Sequence, residues 1–137
     1  MYSKIDALNS IEENKKLFTD TSDKIWEYAE LSLREYRSAD ALVGVLEAEG
    51  FIVERGLAGM PTAFKGSFGS GHPVIGILGE YDALAGLSQE GGLAKRQAVE
   101  AGGAGHGCGH NCLGAGALAG AVGAKRYLEN PPDSQGI

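Results

Sequence analysis

The chain has 137 residues, 43% of them apolar and 22% charged, the size and composition of one globular domain rather than of a disordered or two-domain chain. A net charge of −6, with 12 lysines and arginines, offers no basic stripe to neutralise nucleic-acid phosphates, and no apolar run approaches the ~18 residues of a membrane span. The stretch before Lys16 carries Asp6, Glu12 and Glu13 and no apolar signal-peptide core, so the expected location is cytoplasmic. There Cys108 and Cys112 are expected to be thiols.

Of the 22 glycines, 20 follow Gly50, which predicts a helical front and a loop-rich back. Ile5, Leu8, Ile11, Phe18, Ile25, Trp26 and Ala29 recur at helical spacing, and predict one long amphipathic helix over 3–30 with a break at Thr19–Ser22. Ser38 is the expected N-cap of a second helix, whose apolar stripe is Leu42, Val45 and Leu46 and which stops at Gly50. Phe51–Val53 and Thr62–Phe68 read as strands around a turn at Gly56–Pro61. Gly69–Pro73 reads as a hairpin-type connection. Val74-Ile75-Gly76-Ile77-Leu78-Gly79 is a continuous apolar run, expected as a central strand buried on both faces. It ends in Glu80-Tyr81-Asp82, and polar groups at the carboxyl end of such a strand are where open α/β sheets place their chemistry.

Residues 85–107 show no periodicity and are expected as a loop. From His110 a helix is predicted to about Glu129, with Pro131-Pro132 ending it and a strand beginning near Gly136-Ile137. Gly114, Gly116, Gly120 and Gly123 lie inside that helix, at a cost of up to ~1 kcal/mol each. They predict very close packing against a neighbouring backbone.

The chemistry is concentrated in Gly105-His106-Gly107-Cys108-Gly109-His110-Asn111. If the backbone is extended there, residues two apart point the same way. Cys108 and His110 could then present a thiolate and an imidazole to one Zn²⁺-like ion, with His106 on the same side. A glycine-rich surface loop with an incidental thiol fits the same residues. Glu80 and Asp82 could bind a metal, fix the tautomer of a ligating histidine, or simply be a solvated strand end. A Cys108 nucleophile with His110 or His106 as base, and a Cys108–Cys112 redox pair, both fit the spacing poorly. Gly114–Ala119 is a lax dinucleotide fingerprint in the wrong place, inside a helix. His72 reads as a solvated turn residue and Trp26 as a core anchor.

Five blocks in order, Ile25-Trp26-Glu27-Tyr28-Ala29-Glu30, Gly59-Met60-Pro61-Thr62-Ala63-Phe64, Gly79-Glu80-Tyr81-Asp82-Ala83-Leu84, Gly86-Leu87-Ser88-Gln89 and His106-Gly107-Cys108-Gly109-His110-Asn111, carry a resemblance. The chain resembles the N-terminal part of the zinc-peptidase-like metal-dependent amidohydrolases, on the aminobenzoyl-glutamate utilisation branch. The resemblance implies an α/β fold, a three-layer (phosphorylase/hydrolase-like) catalytic domain. Residues 1–137 would be its N-terminal part, incomplete at the C-terminal side, with the dimerisation domain and the rest of the catalytic domain absent. It implies a divalent metal, Zn or Mn, held in part by Cys108 and His110, with Asp82 as a supporting catalytic residue. Glu80 stands where other branches carry a ligand histidine, which argues against a ligand role for it.

The substrate class implied is an N-acyl or aminobenzoyl amino acid, cleaved at its amide bond, and the full-length relatives are expected to be homodimers. The family's general base sits in a paired-glutamate motif. Here no two glutamates are adjacent after Glu13, and Glu129 is the only one after His110. The chain alone is therefore expected to be inactive. The alternative is a truncated, non-enzymatic remnant with at most residual metal binding. Ala85 replaces an expected proline and Cys112 a commonly apolar residue.

Overall fold

The computed structural model describes residues 3–130. The expected Pro131-Pro132 helix stop and the strand near Gly136-Ile137 lie outside the described residues. In chain order the elements are α1 (Lys4–Glu13), α2 (Lys15–Tyr28), α3 (Tyr36–Ala48), β1 (Ile52–Arg55), a 3-10 turn at Leu57–Gly59, β2 (Phe64–Ser67) and α4 (His110–Glu129). The chain is thus mixed α/β, with its helices outweighing a two-stranded antiparallel sheet among the described residues.

The front of the chain is helical as expected, but the break falls at Asn14 instead of Thr19–Ser22. Ser3 and Asp6 form a reciprocal capping box that starts α1. Asn14 leaves helical geometry and its side chain donates to the Ser10 carbonyl at 2.8 Å. Thr19 and Thr21 stay inside α2 because their hydroxyls donate back to the carbonyls of Lys16 and Leu17, at 3.2 and 2.7 Å. Ser38 is likewise inside α3 and not its cap. The Glu30 carboxylate does the capping, accepting from the amides of Arg37 and Ser38 at 3.1 and 2.9 Å and from the Ser38 hydroxyl at 2.8 Å. A carboxylate there satisfies orphan N–H groups and complements the positive end of the helix dipole.

Phe18 and Ile25 of α2, Leu42 and Leu46 of α3, and Leu118 and Val122 of α4 form one core. The hairpin pairs Ile52 with Ser67 through Arg55 with Phe64 and lies against α3, where a methyl group on Gly66 would stand 3.0 Å from Leu46 Cδ1. At the far end, Lys125 and Arg126 reach the Glu49 carboxylate at 3.2 and 2.9 Å and tie α4 to the end of α3.

The run Val74–Gly79 departs most from expectation. It forms no strand, and Val74, Ile75 and Leu78 are 80%, 81% and 90% exposed. The physical reason is the absence of a partner: an apolar run becomes a buried strand only where neighbouring strands take its N–H and C=O groups. The one two-stranded sheet of the described residues does not reach it. Its end is seated instead on α4. A methyl on Gly79 would meet Ala117 Cβ at 2.8 Å, and a methyl on Gly114 would meet the Glu80 carbonyl oxygen at 3.0 Å and Tyr81 Cβ at 3.2 Å. Helix α4 therefore does pack against a neighbouring backbone through its small residues, though not against a sheet. Gly123 plays the same part toward α1, whose Ile11 Cδ1 would lie 2.6 Å from an added methyl.

Candidate functional site

Three short segments meet at the N-terminus of α4. Residues 79–81 rest on Gly114 and Ala117. The Ala83 amide then donates to the Glu30 carbonyl at 2.7 Å, and Leu84 exchanges both backbone hydrogen bonds with Gly105 at 3.0 Å. From Gly105 the chain turns sharply: the Gly109 amide donates to the His106 carbonyl at 3.0 Å. Gly109 sits at φ +77 immediately before α4, a left-handed conformation that glycine adopts without penalty. Residues 106–110 are consequently a turn leading into a helix, and the expectation of an extended segment with alternating side chains does not hold.

That turn separates the two histidines. His106 is buried, 4% exposed, and its Nε2 lies 3.0 Å from the Ile25 carbonyl. Facing a carbonyl, Nε2 carries the proton, which leaves Nδ1 as a buried acceptor without a partner among the described residues. Burial holds the imidazolium form below its ordinary range. The Nε2 of His106 is therefore committed to the α2 carbonyl, and the extended backbone expected to set this ring beside Cys108 and His110 is not formed.

His110, at the first turn of α4, is held between two carboxylates. Its Nδ1 lies 2.8 Å from Asp82 Oδ1 and its Nε2 lies 3.2 Å from Glu80 Oε2. A neutral imidazole has one donor and one acceptor nitrogen. With Nδ1–H given to the closer Asp82, the Nε2 lone pair faces a second carboxylate. A lone pair beside a carboxylate is a spot that favours a cation. Asp82 thus stands where it fixes the tautomer of the His110 ring. Glu80, set aside from the sequence as a ligand, reaches the same ring. The signal for it was its place two residues before Asp82 in one strand-end cluster.

Cys108 is exposed at the turn, two residues before His110, and Cys112 is exposed on α4 with the Ser22 hydroxyl 3.7 Å from its sulfur. Both are free thiols. The donor types at the turn, imidazole, thiol and carboxylate, suit a borderline divalent ion. Among the described residues, however, no three His, Cys, Asp or Glu side chains converge to hold one. The residues fit as part of a metal centre and do not close one. Among the described residues no helix is long and apolar enough to cross a membrane.

Known proteins supply a relative of the hydrolase class. Over 121 residues the chain is 49% identical to a p-aminobenzoyl-glutamate hydrolase subunit of Escherichia coli (strain K12), a match that spans 88% of this chain and 25% of that protein. The resemblance read from the motifs is therefore shown, and the chain covers about a quarter of the length of the curated relative that it matches. No family model matches the chain.

Proposed function

We propose that this chain is the metal-centre portion of a metal-dependent amidohydrolase that cleaves amide bonds of N-acyl or aminobenzoyl amino acids, with aminobenzoyl-glutamate as the reference substrate. The observation that carries the reading is His110 locked between Asp82 and Glu80 directly after the Cys108 turn, in a chain 49% identical to a hydrolase subunit of that name. In this reading Cys108, as thiolate, and His110, through Nε2, are the ligands contributed here. Asp82 holds the Nδ1 proton and thereby keeps Nε2 free to bind. Glu80 supplies negative charge beside it. A bound Zn²⁺ or Mn²⁺ would activate water and polarise the amide carbonyl. None of this chain's glutamates matches the general base of the resembling family, so the base and the closing ligands belong to a three-layer catalytic domain larger than residues 1–137. Homodimerisation through a separate domain, and a cytoplasmic setting, are part of the same proposal.

The test is a Co²⁺ titration of the reduced chain, watched for a thiolate-to-metal charge-transfer band. The band is expected in the wild type and in Cys112→Ser, and is expected to vanish in Cys108→Ser. It should strengthen as pH rises, because binding deprotonates the thiol. A band that survives Cys108→Ser and disappears in Cys112→Ser overturns the ligand assignment. Turnover of aminobenzoyl-glutamate by this chain alone, above a metal-loaded Cys108→Ala control, would overturn the claim that the base lies elsewhere.

A further inference from the structure

Tyr81 lies between Glu80 and Asp82 in sequence, yet its side chain goes elsewhere. Its ring stands 5.7 Å from that of Phe64, centroid to centroid, and its hydroxyl donates to the Thr62 carbonyl. Thr62 is buried, and its own hydroxyl donates to Glu35 Oε2 at 2.7 Å. Glu35 is also buried, and its other oxygen accepts from the Leu33 amide at 2.9 Å. Leu33 sits at φ +64, a conformation that costs a non-glycine residue ~1–2 kcal/mol and must be held by its surroundings. None of these groups touches His110, and none has a role in the chemistry proposed above. Among the described residues Glu35 has no cationic partner, and a buried carboxylate of that kind is costly to keep unless its hydrogen bonds fix something. What lies at the other end of this chain of bonds is the Glu80-Tyr81-Asp82 tripeptide, which aims two carboxylates at one imidazole.

We infer that Glu35, Thr62 and Tyr81 form a positioning chain that sets the Glu80–Asp82 segment on α4 so that both carboxylates engage His110. The inference rests on the His110 arrangement of the proposed function, and not on metal binding or turnover. The segment has two further supports, the Gly114 notch beneath Tyr81 and the Ala83 amide on Glu30. Those fix its height and its end. The Tyr81 hydroxyl fixes its rotation, which decides where residues 80 and 82 point. Burial and the nearby Glu35 charge push the phenol up to about 12, so it stays a donor throughout the working range of pH.

The experiment is nitrogen-15 NMR of the imidazole of His110 in the full chain without metal, reading its tautomer and the exchange protection of its Nδ1–H. The wild type should show the Nδ1–H form, protected by Asp82, and Asp82→Asn should lose it. Tyr81→Phe, which removes one oxygen, should reduce the protection about fivefold, the effect of a hydrogen bond worth ~1 kcal/mol. Thr62→Val and Glu35→Gln should act in the same direction, and none should add to Asp82→Asn. Phe64→Leu loosens the ring contact without removing a hydrogen bond, and should leave the protection unchanged at matched stability. Unchanged protection in Tyr81→Phe overturns the inference. So does an equal loss in Phe64→Leu, which would mean general loosening. A wild-type His110 in the Nε2–H form would overturn the inference and the site geometry together. Failure of the cobalt band with this NMR pattern intact would defeat only the metal reading.

Discussion

Helices α2, α3 and α4 bury Phe18, Ile25, Leu42, Leu46, Leu118 and Val122 against one another, whereas residues 74–78 hold Val74, Ile75 and Leu78 in solvent. Both regions are rich in apolar side chains. The difference is how each satisfies its backbone. A helix bonds its own N–H and C=O groups and needs only a partner for one face, and this chain contains three such faces that fit. A strand needs its neighbours' backbone before its side chains can be covered. The candidate site lies on the seam, where the end of the uncovered run is fastened to the first turn of the covered helix.

Truncating one side chain in each region should separate them most clearly. Ile25→Ala removes a fully buried side chain and is expected to cost ~2–5 kcal/mol. Leu78→Ala, on a side chain 90% exposed, is expected to stay within ~0.5 kcal/mol. Urea denaturation of both variants measures the contrast, and equal costs would mean that the run is covered in solution. On the seam, Asp82→Asn should weaken Co²⁺ binding ~10–100-fold, the usual effect of removing a histidine's outer partner, read from the titration midpoint.

Smaller substitutions sharpen the picture of α4. Gly116→Ala enters open space and should stabilise by up to ~1 kcal/mol through helix propensity. Gly114→Ala places a methyl 3.0 Å from the Glu80 carbonyl oxygen and should forfeit that gain while disturbing the His110 contacts. Thermal melts of the two variants, with the His110 signal followed by NMR, distinguish them. For solubility, Ile75→Lys with Leu78→Lys should raise the soluble, monomeric fraction seen in sedimentation velocity, because contiguous exposed apolar surface promotes association. No change would mean that this run does not drive association.

The smallest effect is a pH slope. Burial lowers the imidazolium form of His106 when the chain is folded, while in the unfolded chain it protonates near its ordinary value of ~6.5. Below that value the unfolded state binds the extra proton, so stability is level above ~6.5 and falls as pH drops through it. The groups around the ring act in both directions: the Ile25 carbonyl and Asp82 favour the charged form, and His110 opposes it. His106→Gln should flatten the slope in urea midpoints taken at about pH 7.5 and about pH 5.8. A slope unchanged by the substitution would assign it to other groups.

The sequence by itself determined the elements whose cause is local. The 3.6-residue periodicity of Phe18, Ile25, Leu42 and Leu46 marks helix faces, and Gly50 marks an end. The small residues of α4 announced a close approach, and the blocks around Asp82 and Cys108–His110 announced a relative with a hydrolase name. What only the tertiary structure decided depends on groups far apart in the chain. The Glu30 carboxylate caps α3 in place of Ser38, because a loop returns it there. His106 turns away to the Ile25 carbonyl, 81 residues earlier, because the 106–109 turn breaks the alternation that spacing alone suggested. Val74–Gly79 stays open, because burial of a strand depends on which backbones lie beside it and not on its own apolarity. Glu80 reaches His110, far along the chain, and Tyr81 is fastened to Thr62 and Glu35, because the segment must sit on Gly114. Contacts of that separation leave no periodic trace in a single sequence, since each one is written in two places that only the fold brings together.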